Sequence, residues 1–230
     1  MEVGDIDLES VDHVLTTTRA VRRRLDLSRT VDTEVIERCI EVALQAPTGL
    51  YGETAHFVVV NSLEKRKQIA SIIQKAGAGL RTGRYPLDPY LAGIRAENSA
   101  DARYRTQQRL FSDGEHLAVN LDRVPMLIFA CAKGRVENSG SGAQASFYGS
   151  IMPATWSLML GLRARGIGSC LVTFWIHNFE REVAEVLEIP PSVTVVAMLP
   201  VGHFTGADFK PARRAPARER TYWNEWGSRR

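Results

Sequence analysis

Apolar residues recur along this chain in two periods, and the alternation between them predicts its helices and strands. Val35, Ile36, Cys39, Ile40, Ala43 and Leu44 follow Asp32 at helical spacing, and Pro47 ends that pattern with Thr48–Gly49 opening a loop. Val11, Val14 and Leu15 make a shorter stripe behind Ser10, a candidate N-cap. Ile69, Ile72, Ile73 and Ala76 make another between Ser62 as cap and Gly77 as stop. Phe147, Ile151, Ala154, Leu158 and Leu162 keep helical phase through Ala143–Arg165, and Val183, Val186 and Leu187 mark a short helix. Four runs have strand length and strand composition: His56–Val60, Met126–Ala132, Ser169–Trp175 and Val193–Val201. The last three are apolar without alternation, so helices are expected on both faces of their sheet.

The pattern fails between Ala78 and Glu115. Gly79, Gly83, Pro86, Pro89 and Gly93 punctuate it, and the polar stretch Arg95–Arg109 adds no core stripe, although it can still be helical. A stretch of this kind inside a compact chain reads as a lid-like excursion. The expectation is one domain over residues 1–230 that carries this excursion at about 78–115.

Composition narrows the class. The 230 residues are 44% hydrophobic and 24% charged, ordinary globular usage. A net charge of +3 is too small to imply nucleic acid. The longest apolar run, Val124–Ala132, falls well short of the roughly 20 residues that span a bilayer. The first ten residues are acidic and carry no signal pattern, so a soluble, cytoplasmic protein with no membrane partner is expected. Cys39, Cys131 and Cys170 lie far apart in apolar stretches and read as buried structural thiols. His13, His56, His116, His177 and His203 form no metal-binding spacing, and none of the phosphate-loop or serine-elbow motifs is present, since Gly140 and Gly142 lack the third glycine.

Two basic clusters carry the candidate chemistry. Arg19, Arg22, Arg23 and Arg24 crowd into six residues, and Arg213 and Arg214 sit in the proline-bracketed segment Lys210–Pro216. On composition alone each is either a solvated face or a clamp in which guanidiniums fork onto a phosphate.

The clusters gain weight from their surroundings. TTTRAVRRRLDL, VIERCIEVALQAPTG, HFVVV, VPMLIFACAKGR, PATWSLMLGLRARGIGS, LPVGHFTGADFKPARRAP and YWNEW, in this order, resemble the FMN-dependent nitroreductase family, in its branch with a long central insertion. The likeness spans the chain apart from about 78–115. It implies an α+β, nitroreductase-like fold with a central mixed sheet flanked by helices, and an intertwined homodimer holding FMN at the subunit interface. Arg19 and Arg22, with Arg23 close behind, fall on the motif that grips the FMN phosphate, with Ala20 in place of the usual serine. Arg213 and Arg214 fall on the basic pair that closes on the same phosphate. Pro47, Thr48 and Gly49 match the loop that approaches the flavin ring, but Tyr51, Glu53 and Ala55 replace that loop's usual Asn, Gln and Trp. Backbone amides of Val172, Thr173 and Phe174 are implied to face flavin N5 and O4.

The resemblance further implies hydride transfer from NADH or NADPH, through flavin N5, to a nitroaromatic, a quinone or a similar small-molecule electron acceptor. No side chain acts as nucleophile and no metal is required. Tyr51, Tyr85, Tyr90 and Phe111 are the candidate substrate contacts, the last three as part of a lid. Two alternatives accompany this reading: a same-fold flavin-destroying or dehalogenating enzyme, and a non-catalytic flavin-binding protein. The replaced residues Tyr51, Glu53 and Ala55 favour the latter, and the two arginine clusters oppose it.

Overall fold

The computed structural model describes residues 6–49, 52, 55–81, 100 and 103–230. Residues 19–206 form one compact unit, and residues 1–18 with 207–230 form a second. In the larger unit the order is α2 (Thr33–Ala43), β1 (Ala55–Val60), α3 (Leu63–Arg81), α4 (Tyr104–Val119), a 3-10 turn (Leu121–Arg123), β2 (Met126–Lys133), α5 (Ser141–Ala164), β3 (Ile167–Ser169), α6 (Phe174–Val186) and β4 (Val193–His203).

The strands form one sheet in the order β1-β2-β4-β3, and every pairing between them is antiparallel. The sheet is thus antiparallel where a mixed one was expected, and the parallel pairing of Ala20 with Ser169 is an isolated bridge outside its strands. Along β2 the pairing with β4 slips between Ala130 and Cys131, which face Ala197 and Val195. Val196 is therefore the extra residue of a bulge.

Both faces of the sheet are covered, as the unbroken apolar strands require. Met126 and Ile128 pack with Ile36 and Cys39 of α2 and Leu158 and Leu162 of α5. Leu127, Phe129 and Cys131 point the other way by strand alternation and are equally buried. There α6 packs on β4, and α3 packs on α6. Each large side chain so buried contributes roughly 1.5–3 kcal/mol. Glu180 pins α6 to the sheet: it accepts two bonds from Arg135 at 2.7 and 3.0 Å and one from the Val195 N–H at 2.9 Å.

Three predicted boundaries move. In the smaller unit, α1 spans Leu8–Thr17 and is capped by Asp7, which accepts the Ser10 N–H, rather than by Ser10 itself. An earlier carboxylate reaches the same orphan donors, and helix geometry is already set when Ser10 is reached. Helix α3 runs past Gly77 to Arg81; a mid-helix glycine costs only about 1 kcal/mol, and the packing of Ile69, Ile73 and Ala76 outweighs it. Helix α4 begins within the excursion at Tyr104 and runs past its expected end to Val119.

The smaller unit joins α1 to the tail through His13 and Asp208, 3.0 Å apart. Its tail ends in an aromatic turn in which Tyr222 meets Trp226 at 4.6 Å and the Arg230 guanidinium lies over Trp223 at 3.7 Å. No helix among the described residues is long and apolar enough to cross a membrane.

Candidate functional site

Residues 19–26 alternate between anchors and guanidiniums. Val21 and Leu25 are buried, whereas Arg19, Arg22 and Arg24 are half-buried and Arg23 is exposed. The segment meets the sheet at Ala20 and Leu25 and turns between them, where the Leu25 N–H donates to the Arg22 carbonyl at 3.2 Å. Val21 donates its N–H to the Ser169 carbonyl at 2.9 Å, Leu25 bridges to Phe204, and Asp26 donates to the His203 carbonyl at 2.7 Å. Gly168 permits this approach, because a Cβ there would meet three Val21 side-chain atoms at 3.0–3.1 Å.

The four arginines are not equivalent. The Arg23 guanidinium crosses to α4, where it donates to the Asp113 carboxylate at 2.5 Å, the Ser112 hydroxyl at 2.8 Å and the Ser112 carbonyl at 3.2 Å. Arg24 donates to the Thr205 carbonyl at 2.6 Å and lies over the Phe204 ring, so it fastens the segment to the end of β4. Arg22 lies by Cys170. Burial pushes the Cys170 thiol up, and the Arg22 charge and hydrogen bond oppose that shift. Arg22 therefore adjoins the segment that follows β3.

That segment departs from the predicted strand Ser169–Trp175. Strand β3 stops at Ser169, Val172 makes a single bridge to Met198, and α6 starts at Phe174. Length and apolarity alone do not separate a buried strand from a buried helical turn. The residues that follow form helical turns on either side of a kink at Phe179 (φ −136°, ψ 21°), and Phe179 and Val183 are buried there. Val172 and Met198 exchange both backbone bonds at 2.9 Å. Thr173 occupies the N-cap position of α6, and its side chain makes no capping bond.

The Pro47–Gly49 loop follows the end of α2 and is exposed. The Gly49 N–H donates to the Ser150 hydroxyl on α5 at 3.2 Å, and a Cβ at Gly49 would come within 2.7 Å of the same oxygen. Ala55 opens β1 opposite Ala132. Phe111 is exposed on α4, one residue before Ser112. Arg213 and Arg214 are exposed in the tail. Tyr51, Glu53, Tyr85 and Tyr90 lie outside the described residues.

The structure thus sets the Arg19–Arg23 segment beside Ser169 and Cys170, which lead into residues 172–174, and it bonds the Val172 N–H to the Met198 carbonyl rather than leaving it to face a ligand. Sequence reasoning missed Ser112, Asp113 and Ser150, which hold Arg23 and Gly49. Each lies on a helix far along the chain from its partner, and no local spacing marks it. Chemically the constellation offers guanidiniums for an anion and backbone donors for a planar acceptor. Its one nucleophile, the Cys170 thiol, is fully buried.

Residues 15–203 match the family described as the Nitroreductase family. That range takes in Arg19–Arg23, the Pro47–Gly49 loop and residues 172–174, and it leaves Arg213 and Arg214 outside. Three solved structures show the same fold. The FMN-dependent nitroreductase NfnB from Mycobacterium smegmatis, in complex with NADPH, superposes with a TM-score of 0.70 at 19% identity, covering 95% of this chain and 99% of that one. A BluB-like flavoprotein from Clostridium difficile 630 gives 0.66 at 18% identity, with 94% and 99% covered. Oxidized iodotyrosine deiodinase bound to FMN and 3-iodo-L-tyrosine gives 0.63 at 18% identity, with 93% and 100% covered.

Proposed function

Since the chain belongs to the nitroreductase family, we propose that it is an FMN-dependent oxidoreductase that takes hydride from NADH or NADPH and reduces a nitroaromatic, a quinone or a similar electrophile. One observation carries this reading. Val21 and Ser169 fasten the arginine segment to the start of the 170–174 segment at 2.9 Å, so phosphate-binding and ring-facing groups share one edge of the sheet.

The residues present fit such a group. Arg19 and Arg22 would hold the phosphate, where each charge-assisted contact is worth about 1.5–3 kcal/mol. The family resemblance assigns Arg213 and Arg214 to the same phosphate. The backbone N–H groups of Thr173 and Phe174, at a helix start without a side-chain cap, would face the acceptor edge of the ring. The Pro47–Gly49 backbone, held by Ser150, would line it. Bound FMN supplies two-electron chemistry that no side chain here provides. The chain's own share is to bind, orient and shield, and Phe111 on α4 would meet the acceptor.

The working form we propose is a homodimer. Support comes from apolar side chains left uncovered in one chain: Leu8 and Leu15 on α1, and Trp156 on α5, are 68%, 48% and 44% exposed.

Purified protein tests the reading directly. It is expected to be yellow, to release FMN on denaturation, and to reduce a nitroaromatic with NADH or NADPH. Colourless protein that takes up no added FMN overturns it. FMN-loaded protein that removes iodide from iodotyrosine but leaves nitroaromatics and quinones untouched assigns it to the dehalogenating alternative.

A further inference from the structure

Pro200 stands in the middle of β4, a strand paired on both sides, although proline has no N–H for a ladder. Its partner across β2 is Leu127. On the other side, β3 pairs Gly168 with Gly202 and Ser169 with Val201, and the bridge of Val172 to Met198 continues that register. Cys170 therefore falls opposite Pro200. Val172 and Met198 exchange both of their backbone bonds, and bonded pairs alternate along an antiparallel ladder. The next bonded pair is Cys170 with Pro200, and there the Cys170 carbonyl meets a residue with nothing to donate. This is where β3 ends.

We propose that Pro200 is a positioning residue. By withholding the bond to the Cys170 carbonyl it leaves one half of that pair unmade between Ser169 and the doubly bonded Val172, and so sets where the chain leaves the regular ladder and where the first N–H groups of α6 point. The inference deepens the proposed flavin site, on whose ring-facing segment it acts. An unbroken ladder would favour extended backbone through Thr173, in line with the apolar run Ser169–Trp175. The proline lets α6 start at Phe174 instead. Arg22, beside Cys170, would shift with the same backbone.

Pro200→Ala restores the missing donor, and two readouts judge it. In the FMN-free protein, hydrogen exchange should show the new amide at position 200 protected, with changed protection across residues 170–176 and no loss of thermal stability. In the FMN-loaded protein, affinity for FMN should fall about tenfold, with a lower reduction potential for the bound flavin, since misaimed donors stabilise its reduced form less. An unprotected amide at 200, or a protected one with unchanged FMN affinity and potential, overturns the proposal. If the unaltered protein binds no FMN, the functional reading falls on its own. The exchange experiment then still decides the structural half, and unchanged protection of 170–176 refutes it.

Discussion

Val21 and Ser169, joined by an N–H to carbonyl bond of 2.9 Å, hold the arginine-rich segment against the last residue of β3. The contact is close because Gly168 has no side chain. Gly168→Ala is therefore expected to destabilise the protein by about 1–3 kcal/mol, the usual cost of forcing a methyl into a packed site. Combining it with Val21→Ala should cost less than the two single changes added together. Denaturant unfolding of the three variants measures this, and strict additivity would show that the two residues do not press on one another.

The arginines should separate by role. Arg19→Ala and Arg214→Ala are each expected to loosen FMN ten- to a hundredfold without unfolding the protein, at about 1.5–3 kcal/mol per charge-assisted contact. Arg24→Ala should act on stability instead, because that guanidinium is bonded to Thr205 and stacked on Phe204. Flavin retention after dialysis, alongside melting temperature, distinguishes the two outcomes. Full retention in both Arg19→Ala and Arg214→Ala would reduce these clusters to surface charge.

Phe111 sits one residue from Ser112 and two from Asp113, the partners of Arg23. Phe111→Ala should raise the acceptor KM several-fold while FMN stays bound. Asp113→Ala should give a smaller change in the same direction, since a partly exposed ion pair is worth only about 0.2–1 kcal/mol. Steady-state kinetics with several acceptors test this, and unchanged constants for every acceptor would remove α4 from the substrate site.

Alkaline pH should expose the buried thiols. Burial pushes the Cys131 thiol up to about 12, aided by the Glu180 charge, and burial also raises Cys39 and Cys170. In the unfolded chain each thiol ionises near 8.5. The raised folded values mean that their stabilising effect is complete below about pH 8 and declines as pH climbs toward the folded values. Between about pH 9 and 10 the stability of Cys131→Ala should fall less steeply than that of the unaltered protein, by about 1.4 kcal/mol per pH unit. Parallel slopes would mean that Cys131 ionises equally in both states.

Trp156 is 44% exposed on α5, although six buried apolar residues of that helix, from Phe147 to Leu162, mark its core side. Light scattering at micromolar concentration is expected to report a dimer, and Trp156→Asp should weaken it at least tenfold. A stable monomer in the unaltered protein would argue against the proposed two-chain site.

Some features were fixed by the chain alone, because their physical cause is local. Helical spacing located α2, α3 and α5, and unbroken apolar runs located β1, β2 and β4, since each element must bury a face whose period the sequence displays. The same runs required helices on both sides of the sheet. The arginine cluster was also legible, as charge density in one short stretch. What the sequence could not supply were partnerships between distant residues. Arg23 reaches Asp113, Gly49 reaches Ser150, and Val21 lies over Gly168, and none of these residues carries a local mark of the other. The end of β3 is the clearest case. The run Ser169–Trp175 reads as strand by composition, yet β3 stops at Ser169, one residue before the register sets Cys170 opposite Pro200. Only the register of two strands brings a missing N–H opposite a waiting carbonyl, and register exists only in the folded sheet.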